Sequence, residues 1–285
     1  MKKKTNKKAI SREIGLEIAS ICGKHFLNLD HLHYGYWPSW LKVDISNLRT
    51  AQENYTKFLL SHIPEGVKTI LDVGCGKGHI SLKLIEAGYK VDGVSPSHLF
   101  AEQTSELLGK DSEIFECYYE QLQTDKRYDL VLFSESFQYI ETEQAIQKTL
   151  TLLNEGGYML ISDIFRIATE GKGRLSGGHY LNTFYKIMSK YPLELVKDID
   201  ITEQTAPNID IEGHIFKEVG YPVATLVEKL LESRYPVLSK FVKWKYQKKI
   251  NEIHEKYFSG QRTGENFKKF KTYRVLLYKR AAHNA

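Results

Sequence analysis

The feature that most constrains the fold is a glycine-rich loop that directly follows a short apolar run. Residues 69–73, TILDV, have the apolar character of a buried strand, and the loop Gly74-Cys75-Gly76-Lys77-Gly78 comes next. Residues 78–87 then show helical periodicity. Glycines between a strand and a helix allow a tight turn and a close approach of a ligand to the backbone. We therefore predict an α/β fold with a ligand site at this loop.

Strands and helices alternate after the loop. Besides 69–73, the apolar runs predict strands at residues 89–94, 114–117, 129–133, 158–162, 193–201 and 273–278. Helical periodicity predicts helices at residues 9–29, 48–62, 97–108, 142–154, 178–191, 208–233 and 236–258. This rhythm predicts a doubly wound, mostly parallel seven-stranded sheet with helices on both faces. The long helical stretch before the last strand is predicted to be a lid over the crevice at the strand ends.

The chain is expected to divide into five segments. They are a disordered basic tail (1–8), an N-terminal helical arm (9–62), a ligand-binding core (63–205), a helical lid (206–269) and the last core strand with its tail (270–285). The length of 285 residues suits one large domain with an insertion. No apolar run reaches the roughly 18 residues that a membrane-spanning helix needs.

The composition excludes some classes of protein and leaves others open. The three cysteines stand far apart with no CxxC pair, which disfavours a zinc ribbon, a thioredoxin-like site and an iron–sulfur cluster. Such cysteine usage leads us to expect a cytoplasmic location. The net charge of +5 fits either a scattered lysine surplus or an acidic partner.

The spacing of the glycines disfavours two common cofactors. A dinucleotide-binding loop has its third glycine five places after the first, where this chain has His79. A P-loop needs Ser or Thr after Gly-Lys, where this chain has Gly78. NAD and nucleoside triphosphates therefore fit poorly.

The pattern Asp72-x-Gly74-x-Gly76-x-Gly78 resembles motif I of the class I S-adenosylmethionine-dependent methyltransferases. The resemblance covers roughly residues 30–205 and the last strand, and it includes the segments 90–97, 128–140 and 153–158. Ser95 stands where the family usually has an acidic residue that binds the ribose hydroxyls, which resembles the tocopherol, sterol and cyclopropane-synthase branches. Asp92 lies an odd number of residues away and should face the opposite side of the strand.

The resemblance implies S-adenosyl-L-methionine as cofactor and a set of residues that bind it. The segment His33-Tyr34-Gly35-Tyr36-Trp37 looks like the part of small-molecule methyltransferases that folds over the methionine end, where tyrosine rings attract the sulfonium; simple packing of the arm is the alternative. The implied cofactor-binding residues are Tyr34, Tyr36, Asp72, Gly74, Cys75, Gly76, Gly78, Ser95, Pro96, Ser97, Tyr119, Glu120, Ser134 and Glu135.

The catalytic residues are less constrained. Tyr139, at the turn after the fourth strand, and His179, in the predicted helix after the fifth, are the candidate general bases or positioning residues. Asp163 is expected to end the fifth strand, where metal-dependent members hold a cation, but no Asp-Asn pair accompanies it, so we expect no metal. Residues 200–207 resemble the acceptor-pocket lining of tocopherol- and sterol-type enzymes, or form a plain strand-to-helix loop.

Three functions are compatible with these features. The first is methyl transfer to a small-molecule or lipid-like acceptor, free or tethered to a carrier. The second, a nucleic-acid methyltransferase, is disfavoured because no Pro-Pro follows the fourth strand or occurs elsewhere. The third is a cofactor-binding partner subunit without catalysis.

The predicted helix 236–258 carries an unusual concentration of lysines. Docking to an anionic membrane surface or to an acidic carrier protein is one explanation, and a solvated lysine face is the other. The side chains concerned are Lys240, Phe241, Lys243, Trp244, Lys245, Tyr246, Lys248 and Lys249.

Overall fold

The computed structural model describes residues 7–167, 175 and 177–281, with side chains from residue 14 onward. Of the predicted basic tail, residues 1–6 lie outside the described residues, and the first helix begins at Lys7. No helix in these described ranges is long and apolar enough to cross a bilayer.

The core is a single seven-stranded sheet. Its strands are β1 (Thr69–Val73), β2 (Lys90–Ser95), β3 (Ile114–Glu116), β4 (Tyr128–Ser134), β5 (Leu153–Arg166), β6 (Leu193–Asp200) and β7 (Lys271–Arg280). Their order is β3-β2-β1-β4-β5-β7-β6, and only β7 runs antiparallel to its neighbours. The predicted mostly parallel seven-stranded sheet is confirmed. Strand order reverses between β1 and β4, which is where open α/β sheets bind their ligands.

Helices cover the sheet and form the arm and the lid. They are α1 (Lys7–Leu27), α2 (Leu48–Leu60), α3 (His79–Glu86), α4 (His98–Leu108), α5 (Thr142–Leu152), α6 (Leu181–Met188), α7 (Thr202–Thr205), α8 (Pro207–Ile215), α9 (Tyr221–Arg234), α10 (Pro236–Tyr257) and α11 (Gly264–Phe270). The predicted helix 208–233 is interrupted by a π-turn at Phe216–Gly220, and α11 was not predicted.

Two sequence-based boundaries are wrong in ways that matter for the site. β5 extends far beyond the predicted 158–162, because β7 pairs with it from Tyr158 to Arg166. Asp163 therefore lies inside β5 and not at its end. α6 begins at Leu181, so His179 precedes the helix and does not belong to it.

Alternation along the strands creates two cores, one on each face of the sheet. Leu71, Val131 and Ile161 belong to the core under α5 and α6. Ile70, Leu132 and their neighbours belong to the core that also contains Tyr55 and Leu59 of α2. Because successive strand residues point to opposite faces, strands buried on both sides appear as continuous apolar runs.

Replacement of Leu132 by alanine tests the central position of β4. This side chain is fully buried, so Leu132→Ala should lower the free energy of unfolding by about 2–5 kcal/mol. The matched control is Leu226→Ala on α9, where the side chain is 64% exposed and the expected change is within about 0.5 kcal/mol. Chemical denaturation of both variants measures this, and equal losses would contradict the assignment of Leu132 to the core.

Candidate active site

The glycine loop after β1 is held in a conformation that favours glycine at three positions. Gly74, Gly76 and Gly78 have φ values of 75°, 58° and 80°. A Cβ on Gly74 would lie 2.5 Å from the Cβ of Ser136, and one on Gly78 would lie 2.7 Å from Cγ2 of Thr104. A Cβ on Gly76 would meet no atom within 4 Å. Packing therefore requires the outer two glycines, while the middle one borders open space at the carboxyl end of β1.

Two neighbouring side chains fix the loop through its carbonyl groups. Ser136 Oγ donates to the carbonyl of Val73 at 2.5 Å, and Thr104 Oγ1 donates to the carbonyl of Gly76 at 2.9 Å. Ser136 follows β4 and Thr104 lies in α4. Hydrogen bonds within the protein thus hold the loop in this shape, and a loop held by internal contacts reduces the entropy that binding must offset.

Asp72 and Cys75 of the motif direct their side chains into the protein. The carboxylate of Asp72 accepts from Ser81 Oγ of α3 at 2.6 Å, and burial raises its pKa to about 6. The thiol of Cys75 packs on β2, where a Cβ on Gly93 would lie 3.0 Å from Sγ, and burial raises the pKa of this thiol. Both residues therefore support the loop from behind.

The end of β2 carries hydroxyl groups, and one of them, on Ser95, stands where the family that the motif resembles usually has an acidic residue. Ser95 is buried, and its Oγ lies 3.3 Å from the amide nitrogen of Ser97. Ser97 in turn caps α4, and Pro96 between them is exposed. Asp92 is committed elsewhere, because it accepts from the amide of Glu113 at 2.7 Å and from Tyr128 Oη, among other donors.

The side chain of Tyr119 packs in the core between β4 and α5. Its side chain is buried, its hydroxyl bonds Oγ1 of Thr149 at 2.8 Å, and its ring meets Phe133 edge-on. The ring is only 3% exposed, and the cofactor contact predicted for Tyr119 stays a prediction. Glu120 beside it is half-buried.

Glu135 joins three segments of the chain at the carboxyl end of β4. It follows β4 directly and has a φ of 55°, which is strained for a residue with a side chain. Its carboxylate accepts from the amide of Tyr34 at 2.8 Å and from Tyr273 Oη at 2.9 Å. The N-terminal arm and the last strand are thereby joined to the end of β4 through one carboxyl group.

A chain of hydroxyl groups supports Glu135 from inside the protein. Tyr273 Oη, whose single hydrogen is donated to Glu135, lies 3.0 Å from Tyr55 Oη of α2. Tyr55 Oη lies 2.8 Å from Ser162 Oγ of β5 and 2.9 Å from Ser134 Oγ of β4. Because hydroxyls both donate and accept, this network can adjust to the protonation state of the carboxyl group.

Glu135 and Asp163 are acids held in a poorly solvated region. Desolvation raises the pKa of Glu135 to about 8, and the negative charge of Asp163 contributes to the rise. Burial raises the pKa of Asp163 to about 7, although the amide and side chain of Gln138 donate to it at 2.9 Å. The donors to Glu135 described above are neutral groups, so a cationic ligand would stabilise its charged form.

The aromatic arm is fastened by Asn208 of α8. Asn208 Oδ1 accepts from the amide of Gly35 at 2.8 Å and from Trp37 Nε1 at 3.2 Å, and its Nδ2 donates to the carbonyl of Gly35 at 2.7 Å. Tyr34 is thereby placed beside Glu135. Tyr36 instead stacks its ring on Phe58 of α2 at a centroid distance of 4.8 Å. The structure brings Tyr34 to Glu135 but directs Tyr36 toward α2.

The two candidate bases lie near the turn after β4. Tyr139 ends this turn and is largely exposed. His179 Nε2 lies 3.3 Å from the carbonyl of Phe137, and the imidazole meets the Phe137 ring edge-on. Among the described residues, no group of three His, Cys, Asp or Glu side chains could hold a metal ion.

The supporting residues could not be found from sequence motifs. Tyr55, Ser162 and Tyr273 come from three distant parts of the chain, and no motif contains them. Asn208 follows the stretch 200–207 that resembles an acceptor-pocket lining. In that stretch Thr202 and Thr205 are buried, and the carboxylate of Asp200 accepts from the amide of Thr202 at 2.8 Å.

Comparisons with known proteins relate the chain to one family. A family model described as "Methyltransferase domain" matches residues 43–270, about four fifths of the chain. A protein of Geobacillus sp. (strain WCH70) that carries the name methyltransferase is 32% identical over 135 residues, 45% of this chain and 54% of that protein. An uncharacterized methyltransferase of Anoxybacillus flavithermus is 28% identical over 144 residues, 50% of this chain and 68% of that protein. The match thus spans 54% of the first relative's length and 68% of the second's.

Two solved structures have the same fold. Geranyl diphosphate C-methyltransferase from Streptomyces coelicolor A3(2), solved with Mg²⁺, geranyl diphosphate and S-adenosyl-L-homocysteine, has a TM-score of 0.66 at 17% identity, covering 96% of this chain and 97% of that one. The cyclase SpnF has a TM-score of 0.65 at 14% identity, covering 95% and 96%. At these identities the likeness extends to the fold alone.

The raised pKa of Glu135 makes a prediction about stability. An unfolded glutamate ionises near pH 4.5, whereas the folded one holds its proton to about pH 8, so its contribution is present below pH 4.5 and lost as pH rises through 8. Glu135→Gln should therefore remove up to about 5 kcal/mol of the decline in unfolding free energy across this window, at about 1.4 kcal/mol per pKa unit. Denaturation at a series of pH values measures it, with the exposed Glu155→Gln as control. An unchanged slope in Glu135→Gln would contradict the burial of this acid.

Proposed function

The chain belongs to the methyltransferase domain family, and from this premise we propose that it transfers the methyl group of S-adenosyl-L-methionine to a small-molecule or lipid-like acceptor. The acceptor would be free, or presented by an acidic carrier protein or an anionic membrane. One observation carries the proposal: Gly76 borders open space at the carboxyl end of β1, and Glu135 stands at the end of the neighbouring β4.

The residues present suit this cofactor. S-adenosyl-L-methionine has no phosphate, so the loop needs room beside Gly76 and no phosphate-binding lysine. S-adenosyl-L-methionine supplies a methyl group from a positively charged sulfur. Glu135 and Asp163 are acids whose charged forms a nearby cation would stabilise. Tyr34, fastened by its amide to Glu135, would hold the methionine end against the loop.

Ser95 would take the ribose position with a weaker contact than a carboxylate provides. Its hydroxyl is close to the backbone of Ser97 at 3.3–3.4 Å, which is long for a hydrogen bond and leaves it free to turn toward a ligand. Asp92 cannot replace it, since its carboxylate already accepts from Glu113 and Tyr128.

The chain's own contribution to the reaction is to align the acceptor and to exclude water. Methyl transfer from a cationic sulfur is an in-line displacement, so its rate depends on alignment more than on a base. The arm and α8, joined through Asn208, would cover the crevice. Where the acceptor must lose a proton, Tyr139 in the turn after β4, or His179 beside that turn, would receive or relay it.

A single experiment distinguishes the proposed function from the two alternatives. The cyclase SpnF shares the fold, so the fold alone does not imply methyl transfer. Incubation of the protein with methyl-labelled S-adenosyl-L-methionine and a cell extract, separated into lipid, small-molecule, RNA and protein fractions, distinguishes them. Label in the lipid or small-molecule fraction supports the proposal. Label in RNA would indicate the nucleic-acid alternative, and cofactor binding without transfer a non-catalytic role.

Replacement of Gly76 tests the cofactor site. Gly76→Val should abolish micromolar binding of S-adenosyl-L-methionine, because the new side chain would occupy the space that the ligand needs. Gly88→Val is the matched control. Gly88 also has a positive φ and open space around its Cβ position, but it precedes β2 and so lies at the amino end of the strands. Calorimetry should show lost binding in the first variant and retained binding in the second. Unchanged affinity in Gly76→Val would reject this site.

Cofactor binding should also release a proton from Glu135. A cation near this carboxyl group would lower its pKa from about 8, so binding at pH 7 should release up to about one proton per site. Calorimetry in buffers of different ionisation enthalpy measures the release. It should be much smaller in Glu135→Gln. Equal release in both proteins would place the cation away from Glu135.

A further inference from the structure

The helices α9 and α10 form an antiparallel pair, residues 221–257, which we call the hairpin. Lys243 Nζ of α10 lies 2.5 Å from a carboxylate oxygen of Glu228 and 2.6 Å from one of Glu232, both on α9. Ser239 is the buried residue of α10. Ser239 and Lys243, one turn apart, therefore mark the face of α10 that meets α9.

The opposite face of α10 is apolar and exposed. Val237, Phe241 and Trp244 follow one another at intervals of four and three residues, so they share one side of the helix, away from Ser239 and Lys243. They are 81%, 51% and 75% exposed, and the Phe241 and Trp244 rings lie 6.0 Å apart. We call these three residues the apolar stripe.

Lysines flank the apolar stripe. Lys240, Lys245 and Lys248 lie beside it by helical position, and Lys245 Nζ is 5.6 Å from the centre of the Phe241 ring. Between residues 233 and 251 the sequence contains no Asp or Glu. The basic residues in this range are Arg234, Lys240, Lys243, Lys245, Lys248 and Lys249. Lys243 is neutralised by Glu228 and Glu232, and Glu252 follows one turn after Lys248, so the outer face of α10 from Val237 to Lys249 combines apolar side chains with lysines.

We propose that the hairpin docks on an anionic lipid bilayer. The apolar stripe would enter the boundary between headgroups and acyl chains, and the flanking lysines would lie at the level of the lipid phosphates. A helix with an aromatic and aliphatic face bordered by lysines is the pattern that binds membrane interfaces. Tryptophan is favoured at that depth because its large apolar ring carries one polar N–H group.

A second copy of the chain is a poorer occupant of this face. A two-fold symmetric dimer would place the same patch on both sides of the interface. The lysines around Trp244 would then face those of the other copy, and like charges brought together at an interface oppose association. The charge that disfavours a dimer favours an anionic surface.

An acidic carrier protein would match the lysines but not the whole face. The apolar stripe is widely exposed, so a protein partner would need a pocket shaped for Val237, Phe241 and Trp244. A bilayer interface accepts such side chains without a matching shape. The membrane therefore accounts for both the charge and the stripe.

This inference deepens the proposed function, because a membrane-docked enzyme would take a lipid-like acceptor from the bilayer. It is tested without cofactor, so its failure and the failure of methyl transfer are separate results. The probe is co-sedimentation of the full chain with vesicles of phosphatidylcholine alone or with about 30% phosphatidylglycerol. Binding should require the anionic lipid and fall at least tenfold between low and high salt, because salt screens the headgroup charge.

Two variants separate charge from stripe. The quadruple change Lys240→Gln, Lys245→Gln, Lys248→Gln and Lys249→Gln should weaken vesicle binding at least tenfold. Its control changes four exposed lysines elsewhere to glutamine, namely Lys42, Lys90, Lys110 and Lys186. Trp244→Ser should also weaken binding and should remove the blue shift of tryptophan fluorescence on vesicle addition. Thermal unfolding should be unchanged in all three proteins, because every altered side chain is exposed.

Several results would overturn the proposal. They are equal binding to neutral and anionic vesicles, no vesicle binding, or parent-like binding by the quadruple variant. Concentration-dependent self-association without lipid that Trp244→Ser abolishes would identify a second copy as the occupant. Binding to an acidic acyl carrier protein but not to vesicles would identify the carrier.

Discussion

The hydrogen bonds made by the Glu135 carboxylate are the constraint on which the crevice depends. They join the amide of Tyr34 in the arm and the hydroxyl of Tyr273 in β7 to the end of β4. Without a shared acceptor these segments, which are far apart in sequence, would have no polar contact at this point. The strained backbone at Glu135 costs free energy, and the surrounding network over-determines it, as is common where strain serves a site.

The same crevice combines features that stability alone would not favour. It contains three glycines with positive φ at alternate positions of the loop, two acids with raised pKa and a hydroxyl network that includes residues of β4, β5 and β7. The two buried acids cost free energy in their charged forms, and a nearby cationic ligand would offset that cost. The chemistry of the site and its cost therefore point to the same kind of ligand.

The local features of the fold could be predicted from sequence, and the long-range ones could not. The strand 69–73 and the glycine loop are encoded within ten residues, and both were found where predicted. The length of β5 depends on pairing with β7, more than 100 residues later, so no local pattern reveals it. The same holds for Tyr273, whose contact with Glu135 spans 138 residues. The stacking of Tyr36 on Phe58 of α2 is a further contact that no local pattern reveals, and the role of Tyr36 at the cofactor site stays a prediction.

A crystal structure of the protein with S-adenosyl-L-homocysteine tests the central claim most directly. This product of methyl transfer should lie against the open side of Gly76, with its amino-acid end toward Tyr34 and Glu135 and its ribose near Ser95. Difference density in that position would support the account. Density for the ligand at another edge of the sheet, or an unchanged surface at Gly76 with the ligand at saturating concentration, would contradict it.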